Sequence, residues 1–379
     1  MNLLRWELKK IFQQKTIYIV AVVMLAFFTT NALGREDRTM SREVYREWAG
    51  PITTEKMDKA KKLYDDISKT MPEVEEGRFE DLSDRERVEY SMSEMLAYGK
   101  NSTNSAKAQI AQIEKRIIKA VSAGDDALVN KLKLEKQMYS QVQVNTFAYH
   151  DGPQEIVDTV NTFGLVFSGL LLVVGLAGIY SSERSSGVEN YMLSAKNGRE
   201  KVMRAKMYAS FLYALSVVAV WELYSVSMWT YLYGADGWNL PLQYSFKYYF
   251  SPYSMTLAEY HGIQMGIHVL GALALAGVIV IVSMISRSSM IALFGAGVVF
   301  GLPVFIESML GMDQEWVNNL LTYSLTNIMK VEGLFEKFKS VSLFGMPVIA
   351  PYVGIVVAVI VLGLAIYLAR FLIVRKEVV

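Results

Sequence analysis

Residue types that do covalent or metal chemistry are scarce in this chain. It has no cysteine and only three histidines, His150, His261 and His268, which excludes disulfide scaffolds and thiolate sites and disfavours a histidine-rich metal centre. The sequence also lacks G-x-x-x-x-G-K-[ST], G-x-G-x-x-G, H-E-x-x-H and G-x-S-x-G motifs. We therefore expect no catalytic residues, no metal site and no nucleotide site in this chain.

Ionisable residues inside long apolar runs are a second source of chemistry. Glu222, His268 and Glu307 occupy such positions, and all three are predicted at outer-leaflet depth, with Glu222 roughly 22 Å from the inner end of its helix. Charges inside a bilayer are costly and usually face a protein interior or a cavity. Two interpretations stay open: a polar exit pathway or proton site, and structural pairing, with snorkelling as a further option for Glu307.

The segment 181–206 combines charged and apolar residues at helical spacing, which indicates recognition rather than catalysis. Val188, Tyr191 and Met192 can share one face, and Gly187 and Gly198 bracket a short helix. One interpretation is a basic loop that only fixes the topology. The other is a short helix on the membrane surface that docks a cytoplasmic partner.

The ionisable residues and the segment 181–206 lie within or between six apolar runs of the sequence. Each run is long enough to cross a bilayer as a helix. The first run is not followed by a small-x-small cleavage site, so we do not expect a cleaved signal peptide.

The fold class predicted is an all-α membrane protein with six transmembrane helices, an N-terminal interfacial helix and a helical extracytoplasmic domain. In chain order, the predicted segments are the interfacial helix 1–15, span one 16–33, the insert domain 34–156, span two 157–180, the cytoplasmic segment 181–206, span three 207–233, an external aromatic-rich loop 234–262, span four 263–285, span five 290–310, an external loop with interfacial helices 311–347, span six 348–374 and the tail 375–379.

The charges near the short loops predict the orientation. Lysine and arginine residues concentrate in the N-terminal tail, in 181–206, at Arg287 and at the C-terminal end, so the positive-inside rule places both termini in the cytoplasm. The whole chain has 38 Lys+Arg against 37 Asp+Glu, a balance that argues against nucleic-acid binding. We expect a multi-pass protein of a bacterial cell membrane.

The insert domain is polar and reads as helical. Thr53 or Thr54 can cap one helix, Ser83 with Glu86 forms a capping box for the next, and Gly124 ends a helix before Asp125 or Asp126 starts another. The apolar stripes of the last two helices indicate an antiparallel hairpin. A self-contained helical core and a docking surface for a partner or substrate are both compatible with those stripes.

The cytoplasmic segment 181–206 contains a recognisable set of residues: Glu183-Arg184, Gly187, Glu189, Leu193-Ser194, Gly198-Arg199 and Lys206. With these residues the segment resembles the coupling-helix region of type-two ABC exporter permeases. Val188 and Lys196 stand where the family usually has Thr and Pro. This family often has a large external domain between its first two spans, and the amphipathic stretch 2–14 is similar to its N-terminal interfacial helix.

The resemblance implies the membrane half of an ATP-driven exporter. Two permease subunits, identical or related, would form the pathway, and separate ABC ATPase chains would bind ATP and Mg. Relatives export peptides, drugs, lipids, polysaccharides or ions, and the external domain and the aromatic-rich loop favour a peptide or another amphipathic cargo. The implied ATPase-coupling residues are Glu183, Gly187, Val188, Glu189, Tyr191, Leu193 and Arg199.

Other functions compete with this interpretation. A membrane-anchored sensor or scaffold would use the insert domain to bind a ligand or partner. An ion-coupled secondary transporter would use Glu222. Neither needs a coupling segment, so that segment distinguishes them from the exporter.

Overall fold

The computed structural model of this protein describes residues 3–34, 38–70, 82–97, 102–194, 198–309 and 315–375. Within them the chain is an all-α membrane protein, and six helical stretches are long and apolar enough to cross a membrane. The predicted fold class is thereby confirmed. The predicted location of the insert domain outside the cytoplasm stays a prediction.

The membrane bundle begins with the amphipathic helix α1 (Leu3–Phe12) and the first span, α2 (Lys15–Leu33). The second span is a nearly continuous helix with a π-turn inside it, and it runs from 151 to 185 rather than from 157 to 180. Its parts are α8 (Asp151–Thr159), the π-turn (Val160–Gly164), α9 (Leu165–Leu176) and α10 (Gly178–Ser185).

The later spans follow a short helix, α11 (Val188–Ser194). Three of them start before their predicted positions, one by a single residue, because polar residues at their ends continue the helix. The last span starts at Ala350, because the residues before it form a strand. These spans are α12 (Gly198–Tyr233), α13 (Leu257–Ile285), α14 (Ser289–Met309) and α18 (Ala350–Arg375).

Helix α13 lies at the centre of the bundle, packed against α9, α12, α14 and α18. Small residues allow this packing: a Cβ on Gly277 would lie 3.0 Å from the Cβ of Ala365. Helices in lipid commonly associate through small residues that allow close approach. The lipid tails are as apolar as the side chains, so no hydrophobic driving force brings the helices together.

The insert domain is helical, with one short antiparallel pair between β1 (Gly50–Pro51) and β2 (Thr146–Phe147). Its helices are α3 (Arg38–Glu47), α4 (Thr54–Thr70), α5 (Asp84–Ala97), α6 (Ser102–Ser122) and α7 (Asp126–Ser140). Helices α6 and α7 form the predicted hairpin and enclose a core of their own that includes Ile113, Leu132 and Val142.

The predicted helix caps of the insert domain are confirmed. The Asp125 carboxylate accepts a hydrogen bond from the Leu128 backbone N–H at 2.9 Å. The Glu86 carboxylate accepts from the Ser83 backbone N–H at 2.9 Å. Hydrogen bonds from Ser83 hold the pKa of Glu86 below its ordinary value, because they stabilise the charged carboxylate.

The loop before the last span lies deeper than the predicted interfacial helices. Of its helices α15 (Glu315–Thr322), α16 (Leu325–Lys330) and α17 (Glu332–Phe335), α16 packs against α9, α13 and α14. Ile328 and Met329 are fully buried there, because the apolar side of this short helix fills a gap in the bundle. The antiparallel strands β3 (Ser340–Leu343) and β4 (Met346–Ile349) then lead into α18.

Candidate partner-coupling site

A sharp turn separates α10 from α11. Gly187 lies in this turn with a φ of +75°, and a Cβ placed on it would meet nothing within 4 Å. Its backbone N–H donates to the Arg184 carbonyl at 3.1 Å, which closes the end of α10. Gly187 is therefore required for its left-handed backbone conformation rather than for close packing within this chain.

A buried cluster of charges lies directly beneath this turn. We call Glu7, Lys10, Glu183 and Lys206 the ion-pair hub. The Lys206 side chain has no exposed surface, and its Nζ lies 3.0 Å from Glu7 Oε2 and 2.7 Å from Glu183 Oε1. Lys206 Nζ also donates to the Ile179 carbonyl at 2.7 Å. One buried ammonium group thus joins α1, α10 and α12.

Lys10 completes the hub from its exposed side. Its Nζ lies 3.0 Å from Glu7 Oε1 and 2.8 Å from Glu183 Oε1, so two lysines face two carboxylates. Partial burial lowers the pKa of Lys10, but hydrogen bonds to Glu183 and Glu7 and the charges of both outweigh it. The net pKa of Lys10 therefore lies above its ordinary value.

Arg184 links the same turn to α13. Its guanidinium donates to the Met284 carbonyl at 2.7 Å and to the Ser286 carbonyl at 2.9 Å. It also pairs with Glu189 of α11 at 3.2 Å. A cation at the C-terminal end of a helix is stabilised by the helix dipole, so Arg184 fastens α11 to the end of the central span.

Contacts on the other side of α11 reach the last span. The Arg199 guanidinium donates to the Val374 carbonyl at 3.0 Å. Arg370 and Glu200 pair at 3.1 Å. The turn of chain around α11 is therefore connected to helices α1, α10, α12, α13 and α18 at one end of the bundle.

The face of α11 directed away from these anchors is exposed. Tyr191 is 81% exposed and Val188 is 45% exposed, and we call these two residues the α11 ridge. The side chain of Leu193 lies outside the described residues, as do residues 195–197 with Lys196. An apolar ridge on a firmly anchored seven-residue helix has the form of a docking element.

A cavity of about 330 Å³ lies beside the hub, between α1 and α12. Its lining includes Trp6 and Val202 together with Glu7 and Lys10 of the hub.

The three ionisable residues of the spans are not brought together, and each has a different partner. Glu222 Oε1 lies 2.7 Å from His261 Nε2. His268 is fully buried, with Nδ1 2.7 Å from the Met329 carbonyl and Nε2 3.2 Å from Ser168 Oγ. The Glu307 carboxylate lies 3.8 Å from Lys330 Nζ and is half-exposed.

These partners favour the structural interpretation for His268, which joins α9, α13 and α16. Glu222 differs, because its Oε2 is buried without a hydrogen-bond partner among the described residues. A buried carboxylate oxygen of this kind is costly, so Glu222 keeps its place as a pathway or proton-site candidate. Within the described part of the chain, no group of three or more acidic or histidine residues is placed to bind a metal.

Sequence reasoning missed part of the site. Glu7 and Lys10 were assigned only to an amphipathic surface helix, and His261 was not paired with Glu222. A buried position for Glu7 was readable in principle, because it shares a helical face with Leu4, Leu8 and Ile11. The distant partner could not be read from that pattern.

Comparison with known proteins adds no assignment. No family description, curated protein or solved structure matches this chain. The geometry of the bundle end is therefore the basis on which a function is proposed.

Proposed function

We propose that this chain is the membrane subunit of an ATP-driven exporter, whose α11 ridge docks a separate ATPase chain. The observation that carries the proposal is the position of α11. The helix exposes Val188 and Tyr191 while its flanks are tied to five helices of the bundle. A movement imposed on α11 would therefore be passed to several spans together, as a rigid-body switch requires.

The orientation is part of the same proposal. The bundle end that contains α1, α11 and the hub is cytoplasmic, in agreement with its excess of lysine and arginine, and the insert domain is outside. The functional assembly contains two permease subunits and two ATPase chains, which bind ATP and Mg. The cargo is a peptide or another amphipathic molecule that enters the membrane pathway.

Co-purification tests the partner contact. In membranes of the native host, an ABC ATPase should co-purify with the tagged full-length chain, and Tyr191→Ser should remove it. Tyr231→Ser is the matched control, because Tyr231 is 84% exposed on a span but lies at the opposite end of α12. Interface anchors commonly contribute about 2 kcal/mol or more, so the Tyr191 variant should lose at least roughly 30-fold in affinity.

Two results would contradict the proposal. One is a Tyr191→Ser variant that retains the ATPase and its substrate-stimulated ATP hydrolysis. The other is a wild-type chain that purifies with no ATPase, which would favour a sensor or scaffold that binds its ligand through the insert domain.

A further inference from the structure

A second cavity at the same end of the bundle lies between α12 and α18. Its volume is about 330 Å³, enough for part of a lipid molecule. It is separate from the ion-pair hub and from the α11 ridge, and its mouth includes the Glu200–Arg370 pair that links α12 to α18.

The lining of this cavity changes from charged to apolar along the helices. Glu200, Arg204 and Arg370 lie at the end of the bundle, whereas Phe211 and Ile366 lie towards its middle. At 1.5 Å per residue, Phe211 is about 10 Å deeper than Arg204 and Ile366 about 6 Å deeper than Arg370. This gradient matches a molecule with a polar head at the interface and an apolar tail in the bilayer.

The charges at the mouth of the cavity favour a headgroup of negative charge. Glu200 lies 3.1 Å from Arg370 and 3.7 Å from Arg204, and the side chains of these two arginines are 67% and 60% exposed. One carboxylate neutralises only one of the two arginines, so the mouth retains a net positive charge. A guanidinium presents several N–H donors in a planar fork that suits phosphate, and the carboxylate between them holds both groups at the mouth.

We propose that this cavity binds an anionic phospholipid. The headgroup phosphate contacts the guanidinium groups of Arg204 and Arg370, and an acyl chain lies against Met207, Phe211 and Ile366. Basic pockets between helices at a membrane surface bind anionic headgroups in this way. Lipid binding here needs no ATPase, so it is independent of the proposed exporter function.

Native mass spectrometry of the purified full-length chain tests the proposal. Phosphatidylglycerol, phosphatidylcholine with the same acyl chains, and soluble glycerol 3-phosphate are added separately at equal concentrations. We expect the wild-type chain to retain phosphatidylglycerol in preference to phosphatidylcholine. Arg204→Gln and Arg370→Gln should each lower the retention of phosphatidylglycerol roughly fivefold.

Two further variants separate this site from general charge attraction and from misfolding. Arg5→Gln removes a positive charge at the same end of the bundle without touching the cavity, and should leave the preference unchanged. Ile366→Trp fills the cavity and keeps every charge, and should lower phosphatidylglycerol binding as well. Because Ile366 is 43% exposed, the larger side chain is tolerated even where an arginine variant fails to fold.

Three outcomes overturn the proposal. Equal retention of phosphatidylglycerol and phosphatidylcholine would show that binding does not depend on the headgroup charge. Glycerol 3-phosphate binding as strongly as the lipid would indicate a site for free phosphate. An equal effect of Arg5→Gln and the cavity variants would indicate non-specific attraction to the basic end of the protein.

Discussion

The two ends of the membrane bundle are held together by different chemistry. At the end that contains α1 and α11, buried or half-buried charges join the helices, with Lys206 at the centre between Glu7 and Glu183. Towards the opposite end, the charged pairs are partly exposed, as for Lys247 and Glu332 at 3.4 Å, and the fully buried contacts are between neutral groups. Gln264 Nε2 donates to Asn161 Oδ1 at 2.9 Å, and Asn161 Nδ2 donates to Tyr248 Oη at 2.8 Å.

This difference predicts that the helices at the first end move as one unit, whereas contacts at the other end are exchanged more easily. A neutral hydrogen bond contributes about 0.5–1.5 kcal/mol net, so neutral contacts can be exchanged one at a time. Breaking a buried ion pair costs about 3–5 kcal/mol, because it leaves a charge without compensation. The helices around the hub are therefore expected to move together, whereas the π-turn that contains Asn161 belongs to a region that can rearrange.

The largest expected effect is at the centre of the hub. Lys206→Met leaves Glu7 and Glu183 with only the exposed Lys10, and should lower the free energy of unfolding by about 3–5 kcal/mol. Lys201→Met, on an exposed position five residues earlier in α12, is the matched control. Thermal unfolding in detergent measures both variants, and equal melting temperatures would show that the hub does not hold this end together.

The neutral end should respond less strongly. His268→Ala removes the hydrogen bonds to the Met329 carbonyl and Ser168 Oγ, and should cost about 1–3 kcal/mol. His268→Gln, which can still donate a hydrogen bond, should recover part of this loss in the same thermal assay. A larger loss for His268→Ala than for Lys206→Met would reverse the proposed contrast between the two ends.

The turn that presents the α11 ridge should show a smaller effect. Gly187→Ala places a Cβ on a residue at φ +75°, and the left-handed conformation should cost about 1–2 kcal/mol. Gly178→Ala is the control, because a Cβ there also meets nothing within 4 Å and its φ is not positive. If both variants unfold at the same temperature, backbone conformation is not the reason for Gly187.

The smallest effect on stability is expected at Glu222. Glu222→Gln keeps the shape and can still pair with His261, so the free energy of unfolding should change by less than about 1 kcal/mol. ATPase co-purification should be unchanged, because Glu222 lies far from the α11 ridge, whereas transport should be altered. Loss of the ATPase in this variant would show that ATPase binding depends on a residue far from the α11 ridge, and would contradict the assignment of the coupling surface.

Features that depend on neighbouring residues were predictable from the sequence. The six spans follow from uninterrupted apolar runs, and the caps at Ser83 and Asp125 follow from side chains that reach backbone groups within three residues. Gly187 was predicted to precede a short helix, and it lies in the turn directly before α11. In each case the interaction is local, so the residue pattern contains both partners.

Features that depend on distant residues were not predictable. Lys206 and Glu7 are 199 positions apart, and Lys10 and Glu183 are 173 apart. A single sequence shows that these residues are charged but not which charge faces which. The burial of α16 was missed for a similar reason, since a six-residue helix carries too little periodicity to distinguish an interfacial position from a gap between spans.

The most direct test of the coupling surface is the accessibility of residue 188. The chain has no cysteine, so Val188→Cys introduces a single reactive thiol into the α11 ridge and leaves the proposed anchor Tyr191 in place, and Gly124→Cys in the insert domain provides the control. In inside-out vesicles, a membrane-impermeant maleimide should label position 188 quickly when the ATPase is stripped and at least about tenfold more slowly when it is bound. Position 124 should not be labelled in either state. Equal labelling of position 188 with and without the ATPase would contradict a docking role for the α11 ridge, and labelling of position 124 would contradict the orientation.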